Sequence, residues 1–174
     1  VHRADRLKGV SREIAAGDEM DIGDDTQYFD AGMSAIDCIE AALFTAGVRE
    51  AAIKSILDLP CGHGRVTRFL KRAFPKAQLT ACDLNRAGVE YCAAEFGAVP
   101  VVSDVDPAKI PLEGGFDLIW CGSLLTHLSQ EACAAFLQRF QTLLAPDGIL
   151  IFTMHGRRSE FEFTSGRNRF GLDD

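Results

Sequence analysis

Residues 56–66 read ILDLPCGHGRV, and this stretch decides the fold of the chain. Its apolar first part is typical of a buried strand, and that part contains one acid, Asp58. Gly62 and Gly64 then permit a backbone turn that other residues adopt only with strain, and a helical pattern begins near Arg65. A strand, a glycine turn and a helix in this order indicate an α/β fold whose turn can approach a ligand closely.

Strand and helix patterns alternate on both sides of this stretch. Strands are predicted at 55–59, 78–82, 99–102, 116–120 and 148–154, and helices at 65–74, 85–96 and 129–144. A further helix is predicted before the first strand, with Ser34 as its N-cap and Gly47 at its end. The alternation predicts an α/β fold with a doubly wound, Rossmann-like parallel sheet and helices on both faces.

The length and the patterning predict one main domain with polar segments at its ends. The chain has 174 residues, of which 47% are hydrophobic, and these values are typical of a soluble globular protein. We expect an N-terminal arm at 1–33, a ligand-binding domain at 34–156 and a polar C-terminal segment at 157–174. That last segment is expected to be a solvated loop carrying Arg157, Arg158, Arg167 and Arg169.

The first residue is Val1, and the strand pattern stops after a fifth strand. We therefore expect a piece of a longer protein, with the sheet truncated after that strand. An unpaired fifth strand would be an exposed edge, so a homodimer through this edge is expected. The missing strands would help to enclose a substrate, so the fragment is expected to bind its ligand even where it does not turn it over.

Composition disfavours several classes of function. The net charge is −7 and acids are concentrated at 18–30, so nucleic acid is disfavoured and a small-molecule partner is expected. No apolar run approaches the roughly 20 residues of a membrane helix, and no signal peptide is recognisable, so we expect a cytoplasmic protein without a membrane partner. The 6 cysteines form no C-x-x-C pair, so neither a metal site nor a disulfide framework is expected.

Three acids lie at the ends of predicted parallel strands, where α/β proteins bind their ligands. Asp58 is suited to a ligand that carries an ammonium group, and Asp83 lies where nucleotide-binding folds hold ribose hydroxyls. Asp104 could accept a hydrogen bond from an exocyclic amine such as that of adenine. The alternatives are a capping or turn role for Asp58 and a cap of the turn before Pro107 for Asp104.

The glycine turn departs from the dinucleotide fingerprint G-x-G-x-x-G. From Gly62 the sequence reads G-H-G-R-V-T, so Thr67 occupies the place of the third glycine. That glycine allows close packing of helix and strand in NAD-binding proteins. Thr67 therefore counts against an NAD(P)-dependent oxidoreductase, which stays the less favoured alternative.

Five segments together resemble the class I S-adenosylmethionine-dependent methyltransferases of small molecules. They are LDLPCGHGR at 57–65, LTACDLN at 79–85, SDVD at 103–106, FDLIWCGSLLTHL at 116–128 and LLAPDGILIFTMHG at 143–156. They follow the order and spacing of that family. Pro60 is a departure, since it stands where the family usually has its first glycine.

The resemblance implies S-adenosylmethionine as cofactor and a role for each matching residue. Asp58 would lie near the methionine amino group, and Asp83 would bind the ribose. Pro60, Gly62 and Gly64 belong to the loop that would border the sugar and the amino-acid portion. Further residues would contact the adenine or line the methionine side, namely Leu84, Asp104 and Val105 for the adenine and Cys121 and Ser123 for the methionine side.

Two further features have an alternative explanation. His127 lies just beyond the fourth strand, and an imidazole there could act as a general base or simply hydrogen-bond its loop. Tyr28 and Phe29 could form a lid over the cofactor or pack the arm against the sheet. His63 and His155 are weaker candidates for catalysis.

The function implied is methyl transfer from S-adenosylmethionine to an oxygen, nitrogen or carbon atom of a small molecule, by in-line displacement. Because the cofactor supplies an activated methyl group, positioning of the acceptor and exclusion of water are the protein's main contributions. A noncatalytic cofactor-binding or interaction domain of the same fold is a further alternative, and Pro60 supports it.

Overall fold

The structure, a computed structural model, describes residues 3–165. Five strands form one sheet: β1 (Ser55–Asp58), β2 (Gln78–Asp83), β3 (Val99–Val102), β4 (Phe116–Cys121) and β5 (Leu144–Phe152). Their order is β3-β2-β1-β4-β5, and every neighbouring pair is parallel. The predicted α/β fold with its parallel sheet is confirmed.

Strand β1 lies at the centre of the sheet, where the order of winding reverses. Its neighbours are β2 on one side and β4 on the other. Ligands of such sheets bind beyond the carboxyl ends of the strands at this reversal. The loop that follows Asp58 therefore lies at the expected position of a site.

The helices described are α1 (Arg3–Arg6), α2 (Asp25–Ala46), α3 (Thr67–Ala73), α4 (Arg86–Phe96), α5 (Gln130–Leu143) and α6 (Arg157–Thr164). Short 3-10 helices lie at Glu50–Ala52, Pro107–Lys109 and Leu125–His127. No helix described between residues 3 and 165 has the length and apolar character needed to cross a membrane.

The predicted start of the helix before β1 was wrong, because α2 begins at Asp25 and Ser34 lies inside it. The carboxylate of Asp24 is the N-cap, accepting hydrogen bonds from the backbone N–H groups of residues 26 and 27 at 2.9 and 3.2 Å. Tyr28 and Phe29 face the core from this first part of the helix. The end at Gly47 is confirmed, with the left-handed φ of 69° that favours glycine there. The boundary expected between an arm at 1–33 and a domain at 34–156 thus falls within α2.

The C-terminal segment also differs from its prediction. A solvated loop was expected from residue 157, but α6 occupies Arg157–Thr164. Arg167 and Arg169 lie outside the described residues. Strand β5 begins at Leu144, earlier than the expected 148, because its pairing with β4 shifts register between Phe116 and Leu118.

Each face of the sheet carries its own hydrophobic core. Side chains alternate along a strand, so Ile56 points to one core and Leu57 to the other. Helices α2, α3 and α4 cover the first face, and α5 covers the second through Phe136, Phe140 and Leu143. Helices on both faces, as predicted, leave the carboxyl ends of the strands as the open side of the domain.

Candidate active site

The glycine loop after β1 packs directly against α4. Gly62 and Gly64 have φ values of 52° and 83°, in the left-handed region that glycine adopts without strain. A Cβ atom added to Gly64 would lie 2.3 Å from Cε2 of Phe96. One added to Gly88 in α4 would lie 2.4 Å from the carbonyl oxygen of Gly62. The loop and the helix thus meet with no room for a side chain at Gly64 or Gly88.

Asp83 joins this loop to the end of β2. Its Oδ2 accepts a hydrogen bond from the Gly62 N–H at 2.8 Å, and its Oδ1 accepts one from the Asn85 N–H at 2.8 Å. The same side chain lines a cavity of about 620 Å³. A carboxylate oxygen has two lone pairs, so Asp83 can accept further hydrogen bonds from a ligand in that cavity.

The cavity lies between α2, the glycine loop and the ends of β4 and β5. Residues from the segment before α2 and from α2 itself form one side: Asp18, Met20, Ala31, Ser34, Ala35 and Cys38. The loop after β1, with Asp83, forms the floor: Pro60, Cys61, Gly62, His63, Arg65 and Val66. The opposite side consists of Trp120, Gly122, Ser123, Leu124, His127 and Thr153.

Five residues predicted for the site line this cavity, namely Pro60, Gly62, Asp83, Ser123 and His127. The backbone of Ser123 has a φ of 63°, which is uncommon for a residue with a side chain, and its N–H donates to Thr153 Oγ1 at 2.7 Å. His127 ends the short helix Leu125–His127, so its position comes from a backbone turn at the rim of β4. Its role as a general base stays a prediction.

Asp58 is buried at the end of β1, and its contact with the methionine amino group stays a prediction. The side chain is 2% exposed, and among the described residues it is not part of the cavity lining. Its Oδ2 accepts a hydrogen bond from Thr67 Oγ1 at 2.6 Å. Its Oδ1 is buried without a hydrogen-bond partner within the part of the chain that the structure describes.

Burial controls the protonation of Asp58. Loss of water raises its pKa from the ordinary 3.8 to about 7, although the hydrogen bond from Thr67 lowers it, and the charge of Asp83 raises it as well. Thr67, which replaces the third glycine of the dinucleotide fingerprint, thus has a specific function as the hydrogen-bond donor to this carboxyl group.

The other predicted cofactor residues lie outside the cavity lining. Gly64 packs on Phe96, and Cys121 is fully buried with its pKa raised to about 12 by burial. Leu84 and Val105 are 59% and 78% exposed at the ends of β2 and beyond β3. The contacts with adenine predicted for these two residues stay predictions.

Asp104 has the structural role that was the alternative to adenine binding. Its Oδ1 accepts a hydrogen bond from the Asp106 N–H at 2.8 Å, which closes the turn after β3. Asp106 in turn caps the short helix at Pro107 through the Ala108 N–H. A contact of Asp104 with adenine also stays a prediction.

Sequence reasoning did not identify Asp18 as a residue of the site. This acid is 6% exposed, and its Oδ2 accepts a hydrogen bond from the Tyr28 hydroxyl at 2.6 Å. Tyr28 itself is buried, which supports the packing alternative for this residue over a lid. The signal was present in the helical spacing from Asp25 onward, which puts Tyr28 on the buried face of α2.

These features fit a cofactor that has a ribose and a charged amino-acid portion. The cavity offers the Asp83 carboxylate beside a glycine, and a Cβ atom added to Gly62 would meet no heavy atom within 4 Å among residues 3–165. A ligand can therefore approach the backbone of this loop closely. The cavity lining thus offers two carboxylates, Asp18 and Asp83, and carboxylates accept hydrogen bonds from hydroxyl and ammonium groups.

Comparison with known proteins agrees with this chemistry. The family profile described as "Methyltransferase domain" matches residues 56–148. Phthiotriol/phenolphthiotriol dimycocerosates methyltransferase 1 of Mycobacterium ulcerans (strain Agy99) is 31% identical over 63% of this chain and 40% of its own length. Alpha N-terminal protein methyltransferase 1 of Drosophila melanogaster is 32% identical over 68% of this chain and 45% of its own length.

Solved structures share the fold. Streptomyces venezuelae DesVI superposes with a TM-score of 0.63 at 17% identity, covering 82% of this chain and 58% of that protein. An S-adenosylmethionine-dependent methyltransferase from Clostridium acetobutylicum ATCC 824 gives a TM-score of 0.59 at 22% identity, covering 79% of this chain and 56% of that protein. The chain spans about 40% of the length of the curated relatives it matches. The profile match covers more than half of the chain, and the chain belongs to the class I S-adenosylmethionine-dependent methyltransferase family.

Proposed function

We propose that the protein transfers a methyl group from S-adenosylmethionine to a small-molecule acceptor by in-line displacement. The observation that carries this proposal is the position of Asp83. It ends the strand beside β1, faces a cavity of about 620 Å³, and holds Gly62 of the loop through a hydrogen bond of 2.8 Å. A carboxylate so placed suits the hydroxyl groups of a ribose.

Different residues of the cavity would contact the cofactor and the acceptor. Asp83 would hold the ribose, and the backbone at Gly62 and Pro60 would border the sugar and the amino-acid portion. The bound cofactor supplies a methyl group activated by a sulfonium. Ser123 and His127 lie across the cavity from α2 and would border the acceptor.

Catalysis at this site rests on positioning the acceptor and excluding water. Helix α2 contributes small side chains to the cavity, among them Ala31, Ser34 and Ala35, and these leave space for an acceptor while the helix covers it. A proton must be removed near the transition state when the acceptor is a hydroxyl group, and His127 would then be the base.

A small-molecule acceptor is supported by charge and by relatives. The net charge of −7 disfavours a nucleic-acid partner. Relatives that match this chain include a malonyl-[acyl-carrier protein] O-methyltransferase of Hahella chejuensis (strain KCTC 2396) and a trans-aconitate 2-methyltransferase of Acidovorax sp. (strain JS42).

Calorimetric titration of S-adenosylhomocysteine tests the proposal. We expect the wild-type chain to bind, and Asp83→Ala to bind at least about tenfold more weakly, since a hydrogen bond to a charged group is lost. Asp147→Ala is the matched control, because it removes an exposed acid from β5, away from the cavity. NADH, the probe for an oxidoreductase, should not bind.

Two results would contradict the proposal. One is a folded wild-type protein that does not bind S-adenosylhomocysteine. The other is an Asp83→Ala variant that binds as tightly as wild type. Binding without methyl transfer to any acceptor in the full-length protein would instead favour the noncatalytic alternative.

A further inference from the structure

Trp120, the single tryptophan of the chain, lines the cavity from the end of β4. The residue is 4% exposed. An indole ring has one polar atom, Nε1, which donates a hydrogen bond and does not accept one. Within residues 3–165, no group accepts a hydrogen bond from this N–H. A buried donor without an acceptor is costly, so the indole of Trp120 needs an acceptor from a ligand.

Gly122 leaves space in front of that indole nitrogen. It lies two residues after Trp120 and lines the same cavity. A Cβ atom added to Gly122 would lie 2.9 Å from Nε1, which is its nearest heavy atom among the described residues outside its chain neighbours. Any side chain at this position would therefore occupy the space beside the N–H group. With glycine there, a ligand atom can approach the nitrogen from the cavity.

Ser123 adds a second donor on the same side of the cavity. Its backbone is held in the left-handed region, at a φ of 63°, with its N–H bonded to Thr153 Oγ1 at 2.7 Å. Its hydroxyl group donates to no acceptor within the described part of the chain. Among the described residues, no acid belongs to this side, since Asp18 and Asp83 line the other two. Donors without an acid suit an oxygen acceptor rather than an ammonium group.

Helix α2 presents a different surface to the cavity. Ala31, Ser34, Ala35 and Cys38 follow the spacing i, i+3, i+4 and i+7, which places them on one face of the helix. All four side chains are small, and three of them carry no oxygen or nitrogen atom. The helix side can therefore receive the apolar part of a ligand, while the end of β4 offers hydrogen-bond donors.

We propose that the indole N–H of Trp120 donates a hydrogen bond to the methyl acceptor, which is an apolar compound with a carbonyl or carboxylate oxygen. The inference rests on the proposed function, since it concerns the acceptor of that reaction. It makes Trp120 a residue that determines specificity, and it disfavours simple amines that lack such an oxygen.

Nuclear magnetic resonance of the wild-type chain tests the hydrogen bond directly. Because the chain has one tryptophan, its nitrogen–proton correlation spectrum contains one indole N–H signal. The protein is first saturated with S-adenosylhomocysteine and then titrated with hexanoate, ethyl butyrate or hexylamine. We expect hexanoate or ethyl butyrate to move the indole signal downfield, as a new hydrogen bond does, and hexylamine to cause no such shift. A shift with hexanoate alone identifies a carboxylate, and one with ethyl butyrate alone identifies a neutral carbonyl group.

Two variants act on the same hydrogen bond in different ways. Trp120→Phe keeps an aromatic ring and removes the N–H group, and Gly122→Ala keeps the N–H group and covers it with a methyl group. Each should weaken the oxygen-bearing probe by at least about threefold, the loss expected for one hydrogen bond. Binding of S-adenosylhomocysteine should change by less than about twofold. Gly156→Ala is the matched control for Gly122→Ala, because its added Cβ atom would meet no heavy atom within 4 Å among residues 3–165.

A variant of α2 tests the surface expected to receive the apolar part. Ala31→Leu should fill part of the cavity and weaken the same probe by at least about threefold. Ala41→Leu makes the same change at an exposed position of this helix outside the cavity lining, and it should bind the probe as wild type does. Circular dichroism establishes that each variant is folded. If Trp120→Phe unfolds, the wild-type titration and Gly122→Ala decide the test.

The outcomes separate this inference from the proposed function. A protein that binds S-adenosylhomocysteine but shows no downfield shift with either oxygen-bearing probe overturns the inference alone. Undiminished binding of the probe by folded Trp120→Phe and Gly122→Ala also overturns it. A loss of S-adenosylhomocysteine binding equal to that of the probe overturns it as well, because the indole then contacts the cofactor. A wild-type protein that does not bind S-adenosylhomocysteine overturns the proposed function and this inference with it.

Discussion

Gly64 and Gly97 share a left-handed backbone conformation but have different surroundings. Their φ values are 83° and 66°. A Cβ atom at Gly64 would meet Phe96 at 2.3 Å, whereas one at Gly97 would meet no heavy atom within 4 Å among residues 3–165. The two residues therefore separate the effect of backbone conformation from the effect of close packing.

We expect Gly64→Ala to destabilise the protein more than Gly97→Ala. Both variants force alanine into the left-handed region, at about 1–2 kcal/mol. Only Gly64→Ala also pushes the loop away from α4, and such overpacking costs about 1–3 kcal/mol more. Urea unfolding followed by circular dichroism measures both, and equal losses for the two variants would contradict the packing described for the loop.

Some residues of the site were predictable and others were not. Asp83 was predictable, because an acid at the end of the second strand must lie at the carboxyl edge of a parallel sheet. The placement of Asp58 depends on which face of β1 its side chain occupies. The residues of β1 are apolar on both faces, so the sequence pattern does not predict that face. Asp18 was missed because its partner Tyr28 comes from a helix whose first turns were taken for an arm.

At the scale of elements, Arg68 of α3 connects three parts of the chain. It donates to the carbonyl oxygens of Ser11 and Glu13 at 3.1 and 2.8 Å, in the N-terminal segment. It also bonds the Gly64 carbonyl in the loop and the Tyr28 hydroxyl in α2. Arg68 is 2% exposed, and its guanidinium packs over aromatic rings, with its central carbon 5.2 Å from the centre of the Tyr28 ring.

Arg68→Met should therefore lower the free energy of unfolding by about 3 kcal/mol or more, because several buried acceptors lose their donor. Arg72→Met is the matched control, since it loses an exposed hydrogen bond to the Lys8 carbonyl. Its expected cost is below about 1 kcal/mol. Urea unfolding gives both values, and hydrogen exchange at residues 11–14 should rise in Arg68→Met alone.

Elements with a clear sequence pattern were predicted with nearly correct bounds, and elements with a weak pattern were misplaced or missed. Strands β1 to β4 were predicted to within one residue at each end, because each is a short apolar run bounded by turns. The start of β5 was predicted four residues too late, because its first part, LAPD, is not an apolar run. Helix α2 was started too late because its Asp24 cap lies in an acidic run that was interpreted only as charge. Helix α6 was missed because its sequence, RRSEFEFT, is mostly polar.

At the scale of the whole molecule, Asp58 gives the stability a particular pH dependence. Its pKa in the folded protein is raised to about 7 from the ordinary 3.8. Between these values the unfolded chain has released this proton and the folded protein still holds it, so the contribution of Asp58 to stability falls as pH rises. Below about pH 4 and above about pH 7 the contribution is constant.

Comparison with Asp58→Asn isolates this contribution, because asparagine keeps the shape and stays neutral. We expect wild type to lose stability relative to Asp58→Asn between about pH 4 and pH 7, with a slope approaching about 1.4 kcal/mol per pH unit. Urea unfolding of both proteins at pH 4, 5.5, 7 and 8 measures the difference. A difference that does not change with pH would show that Asp58 ionises in the folded protein as it does in the unfolded chain.

The two-sided cavity has a consequence for how binding and folding are coupled. Its residues come from the N-terminal segment and α2 on one side and from the sheet on the other. A ligand that contacts both sides is lost whenever α2 separates from the sheet, so the ligand opposes that local opening in proportion to its affinity. At a concentration one hundred times its Kd, such a ligand adds about 2.7 kcal/mol to the stability of the closed state. The concentration of the cofactor would then determine the fraction of molecules in which the N-terminal segment and α2 are packed against the sheet.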